Sequence, residues 1–199
     1  MRDSVRQKTS RDAILDATDQ LLAENGYKKM TIDDLAKKVG IGKGSVYLHF
    51  ESKEEIALSH IDRIIERLKT RLLEIKERRG SCEKRLRLML IERVLYRFDS
   101  VQHYSRSLNE MLAQLRPRLL ERRKKYFEDE ASIFASLIAE GVASGVFSAK
   151  KPQQAATALL DATNSLLPYS LSAVELGHRA EVERRVNALA DVLLNGVMK

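Results

Sequence analysis

Apolar side chains recur at helical spacing along almost the whole chain. Ala13, Ile14, Ala17, Leu21 and Leu22 fall on one face of a first segment. Ile32, Leu35, Ala36 and Val39 do the same in a second, and Ile56, Ile61, Ile64, Leu68, Leu72 and Ile75 run down a third. A three-to-four-residue period marks amphipathic helices. Helix starts are marked as well. Thr9-Ser10-Arg11-Asp12, Thr31-Ile32-Asp33-Asp34 and Ser52-Lys53-Glu54-Glu55 each have the form of a capping box, in which a hydroxyl and a carboxylate satisfy free N–H groups. Asn25-Gly26 and Gly40 supply stops, since glycine accepts the left-handed geometry past a helix end. The pattern predicts helices over 32–39, 42–50, 53–79, 83–99 and 101–115. Another starts at Pro117 and reaches Ser144, one runs from Pro152 to Ser170 with a kink at Pro168, and the last spans Arg179 to Gly196. The predicted fold is all-α.

Residues 31–53 carry the chemistry. Two short helices meet at the tight turn Val39-Gly40-Ile41-Gly42, the layout of a helix-turn-helix. On the second helix Val46 and Phe50 are four residues apart and face the core. That leaves Lys43, Ser45, Leu48 and His49 outward, with Tyr47 at the boundary. Lysine reaches phosphate or guanine, serine reaches either, and an apolar side chain meets a thymine methyl. Gly42 and Gly44 permit close backbone approach, and the helix starts at Thr31 and Ser52 offer N–H groups to phosphates.

The run Thr31-Ile-Asp-Asp-Leu-Ala-Lys-Lys-Val-Gly-Ile-Gly-Lys-Gly-Ser-Val-Tyr-Leu-His-Phe-Glu-Ser-Lys53 resembles the DNA-binding segment of the TetR family of regulators. The likeness covers residues 10–56, about a quarter of the chain. It implies an N-terminal three-helix DNA-binding domain, residues 1–53, followed by a helical effector-binding and dimerisation domain, residues 54–199. It also implies that Thr31, Tyr47, His49 and Lys53 contact the phosphate backbone, and that Lys43, Gly44, Ser45 and Leu48 lie nearest the bases. Some members read a base with a basic residue at the position of Asp33. A carboxylate cannot pair with a guanine edge, so Asp33 is not assigned to DNA.

Residues 57–199 have no comparable signature. Val182, Val186, Leu189, Leu193 and Val197 stripe the last helix, and the preceding one is rich in small residues, Ala155, Ala156, Ala158 and Ala162, beside Leu159, Leu166 and Leu167. Two such helices from each of two copies make a four-helix interface with two-fold symmetry, matched to a palindromic operator. The alternative is that they close the monomer core. Tyr96, His103, Tyr104, Asn109, Tyr126 and Asn164 are polar or aromatic groups on apolar faces, the kind that line a pocket for an apolar or amphipathic effector. Arg116, Arg118, Arg122, Arg123, Lys124 and Lys125 crowd one helix. They read first as a solvated, ion-paired face, and second as a place for an anionic effector such as an acyl-coenzyme A.

Composition narrows the classes. The chain has 199 residues, 44% hydrophobic and 32% charged, with three prolines and nine glycines. That is a globular composition with few breakers. The net charge of +7 does not point to DNA by itself, because residues 1–53 carry only +2 and residues 63–125 carry +11. Cys82 is the single cysteine, which excludes an intrachain disulfide and fits a reducing compartment. No secretory leader or spanning segment is visible, so the cytoplasm is expected and no membrane partner. No phosphate loop, paired-carboxylate motif, metal spacing or nucleophile elbow appears, so neither an enzyme nor a cofactor is expected. The partners expected are double-stranded operator DNA, a second copy of the chain and a small-molecule effector. A helical ligand-binding or scaffolding protein without DNA affinity is the competing class.

Overall fold

This computed structural model describes the backbone of residues 2–103, 105–167 and 175–195, and the side chains of residues 10–100, 102–103, 110–111, 114–167 and 175–195. Among the described residues the fold is all-α, with eight helices: α1 (Arg2–Asn25), α2 (Ile32–Val39), α3 (Lys43–Tyr47), α4 (Lys53–Lys76), α5 (Cys82–His103), α6 (Ser105–Ala143), α7 (Pro152–Asn164) and α8 (Arg179–Asn195). No helix among the described residues is long and apolar enough to cross a membrane.

The chain forms two compact units. The first holds residues 1–64 and 103–120, the second residues 65–102 and 121–199. In the first, Ile14, Leu15, Leu21 and Leu22 of α1, Leu35 of α2, Val46 and Phe50 around α3, and Ile56, Ala57 and Leu58 of α4 share one buried cluster with Met111 and Leu115 of α6. Each leucine or isoleucine buried this way contributes about 1.5–3 kcal/mol. Arg63 of α4 reinforces the packing by bonding the Asp16 carboxylate at 2.6 Å and the Leu15 carbonyl at 2.7 Å.

In the second unit Leu68, Leu72 and Ile75 of α4 pack with Leu86, Met89 and Leu90 of α5, Phe134, Leu137 and Ile138 of α6, and Leu159 and Leu160 of α7, together with Ala190 and Leu194 of α8. A smaller cluster joins Val94, Leu95 and Phe98 to Leu166, Leu176, Val182 and Val186.

Several boundaries differ from those predicted: α4 ends at Lys76 rather than Arg79, and α5 runs through to His103 rather than breaking between Asp99 and Val101. α1 begins at Arg2, so Thr9 lies inside it rather than capping it. The residues before it, Arg2 to Lys8, contain no glycine or proline to stop propagation. Pro117 lies within α6 instead of opening a helix. Its missing hydrogen bond costs about 3 kcal/mol or more, and helix formers on both sides offset that cost, anchored by Met111 and Leu115 before it and Phe134 and Leu137 after it. α3 ends at Tyr47 rather than Phe50, with Leu48 as its C-cap. Pro168 and Val197 fall outside the described residues.

Gly141 shows how closely the second unit is packed. A methyl group added there would sit 2.1 Å from the Phe147 ring. Phe147 is buried, and its N–H donates to the Gly141 carbonyl at 3.1 Å, so the ring cannot swing clear. Gly141→Ala is expected to lower stability by about 1–3 kcal/mol. Urea unfolding measures this, and adding Phe147→Ala should make the combined loss smaller than the sum of the two single losses.

Candidate nucleic-acid interface

The helix-turn-helix is assembled from local signals. At α2 the Thr31 hydroxyl accepts from the Asp34 N–H at 3.1 Å, and the Thr31 N–H donates to the Asp34 carboxylate at 3.2 Å, completing the capping box. The Thr31 hydroxyl also donates to that carboxylate at 2.6 Å. Gly40 closes α2 at φ 75, a left-handed geometry that disfavours side chains. At α4 only half of the predicted box forms. Ser52 Oγ accepts from the Glu55 N–H at 3.1 Å, while the Glu55 side chain turns to Ser59 and Arg118 instead.

α3 has one buried side chain, Val46, and Phe50 just after it is buried too, under the Arg11 guanidinium at 4.9 Å from its ring centre. Everything else on α3 faces outward. Lys43 and Gly44 are exposed, and Ser45 and His49 are half-buried. Leu48 is 84% exposed and Tyr47 49%, placing Tyr47 further out than the boundary position predicted. An apolar side chain left this open on a small helix has no role in its own core.

Two of the lysines are already engaged. Lys43 Nζ pairs with Asp33 at 2.9 Å, and that hydrogen bond raises its pKa. Lys53 Nζ donates to the Lys28 carbonyl at 3.2 Å and lies 4.5 Å from the Tyr27 ring centre. Burial lowers the Lys53 pKa, and the charges of Glu54 and Glu110 pull the other way. Burial, with Glu54, pushes Tyr27 up to about 12. Glu110 of α6 also accepts from the Lys28 N–H at 2.8 Å. Each ammonium keeps further donors for a phosphate.

The predicted effector residues that the structure describes are divided between the two units. His103 is exposed in the first unit, 3.9 Å from Asp19. Tyr96, Tyr126 and Asn164 are half-buried in the second, with the Arg71 guanidinium 4.8 Å from the Tyr96 ring centre. The side chains of Tyr104 and Asn109 lie outside the described residues. Asn164 belongs to a network that sequence reasoning missed. Arg93 is buried and donates to Glu130 at 2.7 Å, to the Thr163 hydroxyl at 2.8 Å and to the Asn164 side-chain Oδ1 at 3.0 Å, while Arg97 donates to the other Glu130 oxygen. A charged residue on the apolar stripe of Leu86, Met89, Leu90 and Val94 was the available signal.

The predicted dimer stripe divides. Leu159, Leu166, Val182 and Val186 are buried within this chain's own core, so they present no surface to a partner. Ala155, Ala162, Leu189 and Leu193 are half-buried, Ala158 is exposed, and Val192 is 69% exposed.

Residues 14–59 match the model of bacterial regulatory proteins of the tetR family, and residues 82–189 match a tetracyclin repressor-like C-terminal domain. The chain belongs to the TetR family. It is therefore a DNA-binding transcriptional regulator. The chain is 30% identical to the fatty acid metabolism regulator protein of Bacillus subtilis, over 66% of its own length and 68% of that protein. It is 46% identical over 46 residues to IcaR of Staphylococcus epidermidis, a negative regulator of a biofilm operon, a stretch covering 23% of this chain and 25% of IcaR. Its fold is shared with the regulator FadR of Bacillus subtilis, solved with stearoyl-CoA, at a TM-score of 0.64 and 19% identity over 93% of this chain and 98% of that one.

Two predictions follow from the charges of this TetR-family chain. Asp33→Asn frees Lys43 and removes a negative charge from the recognition face. It should raise affinity for random-sequence DNA about two- to fivefold at low salt, measured by fluorescence anisotropy, with the gain fading as salt rises. Glu130→Gln leaves buried Arg93 with no anion and should cost about 3–5 kcal/mol in thermal or urea unfolding. Burial pushes the Glu130 carboxyl up, but the charges of Arg97 and Arg93 outweigh that and hold it below the usual range. Its contribution is therefore full above about pH 4.3, the free glutamate value, and is lost as pH falls through the lowered folded value.

Proposed function

We propose that this regulator is a repressor that binds a palindromic operator as a homodimer and releases it when a small amphipathic effector occupies the second unit. The observation that carries the reading is the outward face of α3. Leu48 is 84% exposed, and nothing lies within 4 Å of a methyl group added at Gly44. The free protein has no need of a glycine there, whereas a DNA backbone or base edge approaching the helix does. Lys43, Gly44, Ser45 and Leu48 then address base edges, and Thr31, Tyr47, His49 and Lys53 address phosphates.

Two copies joined through the exposed parts of α7 and α8, with Ala158, Leu189, Val192 and Leu193 at the centre, supply two recognition helices for two half-sites. Repression needs only occupancy of the promoter, and IcaR is a negative regulator. Stearoyl-CoA in FadR and the likeness to a fatty acid metabolism regulator support an acyl chain or its thioester as the effector class. A cytoplasmic location follows from access to DNA.

Selection from a random DNA pool is expected to return an inverted repeat whose affinity falls steeply with salt. Gly44→Ala separates function from folding. It should leave stability unchanged or raise it by about 0.5–1 kcal/mol while weakening operator binding at least tenfold. An alanine variant that binds the operator as tightly as the parent would remove the proposed approach at α3.

A further inference from the structure

The basic residues of the second unit are not all accounted for by its packing. Arg93 and Arg97 stand one helical turn apart on α5 and both reach Glu130 of α6. That carboxylate is fully buried, and its two oxygens are divided between the two guanidinium groups. Every nitrogen of Arg93 has a partner, because Nη1 donates to Thr163 and Nη2 to Asn164. Arg97 differs. It is 24% exposed, donates to Glu130 through Nη2, and its Nε–H is buried without a partner.

Arg123 adds a third guanidinium within electrostatic reach of Arg97 and Glu130. It lies on the face of α6 that carries Tyr126 and Glu130, three and seven residues on. Burial and the nearby charge of Arg97 lower its pKa to about 10, against the opposing pull of Glu130. It stays protonated at neutral pH, so two cations are held close together around a carboxylate already shared with Arg93.

We propose that Arg97 and Arg123, set against the Arg93–Glu130 pair, form a site for one anionic head group, a carboxylate or a phosphate, at the end of the effector. Guanidinium forks match both groups in bidentate geometry. A desolvated cation with unused donors is costly, and an entering anion relieves that cost. Arg93, Glu130, Thr163 and Asn164 are positioning residues that hold the Arg97 fork in place. The inference rests on the reading of the second unit as the effector-binding part and adds the chemistry that the effector must present.

The test uses the full chain and three probes with the same tail length: dodecanoate, lauroyl-coenzyme A and dodecanol. Thermal unfolding and operator anisotropy are read in parallel for the parent, Arg97→Gln, Arg123→Gln and Arg123→Lys. Binding to the native state raises Tm. At least one anionic probe should raise the parent's Tm, and dodecanol should raise it less. Dodecanoate acting alone identifies a carboxylate head, and lauroyl-coenzyme A acting alone a phosphate. Both glutamine variants should bind the anion at least tenfold more weakly, each compared with its own probe-free Tm, and the lysine variant should recover part of the loss. Equal effects of dodecanol and the anions would overturn the site. So would undiminished anion binding by the glutamine variants, or a parent that responds to neither anion. Release of the operator that persists in both glutamine variants sinks the site alone. A parent that never binds an operator sinks the repressor reading while leaving the Tm comparison to judge the site.

Discussion

A helix of five residues cannot hold its shape in water, because the first turn costs more order than its few hydrogen bonds return. α3 exists because Val46 and Phe50 are anchored in the core of the first unit and Gly40 turns the chain into it. Once those two side chains are fixed, the outward direction of Lys43, Gly44 and Leu48 is fixed as well. The proposed recognition surface is thus the complement of a packing constraint. Arg11 stacked on Phe50, Arg63 bound to α1, and Leu35 and Met30 in the same cluster all serve that anchoring.

Charge plays opposite parts in the two units. Around α3 the ion pairs are exposed and weak, so Lys43 can exchange Asp33 for another anion at little cost. In the second unit Arg93 and Glu130 are withdrawn from water, where each is costly unless the other is present. That pair ties α5 to α6, and the Thr163 and Asn164 contacts add α7. A buried network of this kind responds sharply to an added or removed charge, which suits the effector site proposed there. An effector shifts the balance between DNA-binding and released states only by its difference in affinity for them. α4 and α6 are the helices whose side chains enter the cores of both units, Ile56 and Leu68 on one, Met111 and Phe134 on the other. The coupling proposed between operator and effector would therefore have covalent routes along them.

What could be read from the chain alone was what depends on neighbours in sequence. The capping box at Thr31, the stop at Gly40 and the four-residue spacing of Val46 and Phe50 are local, so their residue types announced them, and with them the helix-turn-helix and the family. The tertiary structure decided whatever depends on residues far apart. It kept Pro117 inside a helix, because anchors on both sides outweigh a lost hydrogen bond. It buried Leu159, Leu166, Val182 and Val186 in the chain's own core, because one apolar stripe looks the same whether it meets its own core or a partner. It joined Arg93 to Glu130 across 37 positions and to Thr163 across 70. Periodicity marks such residues as misplaced charges on an apolar face, but only the packing of α5, α6 and α7 brings them together.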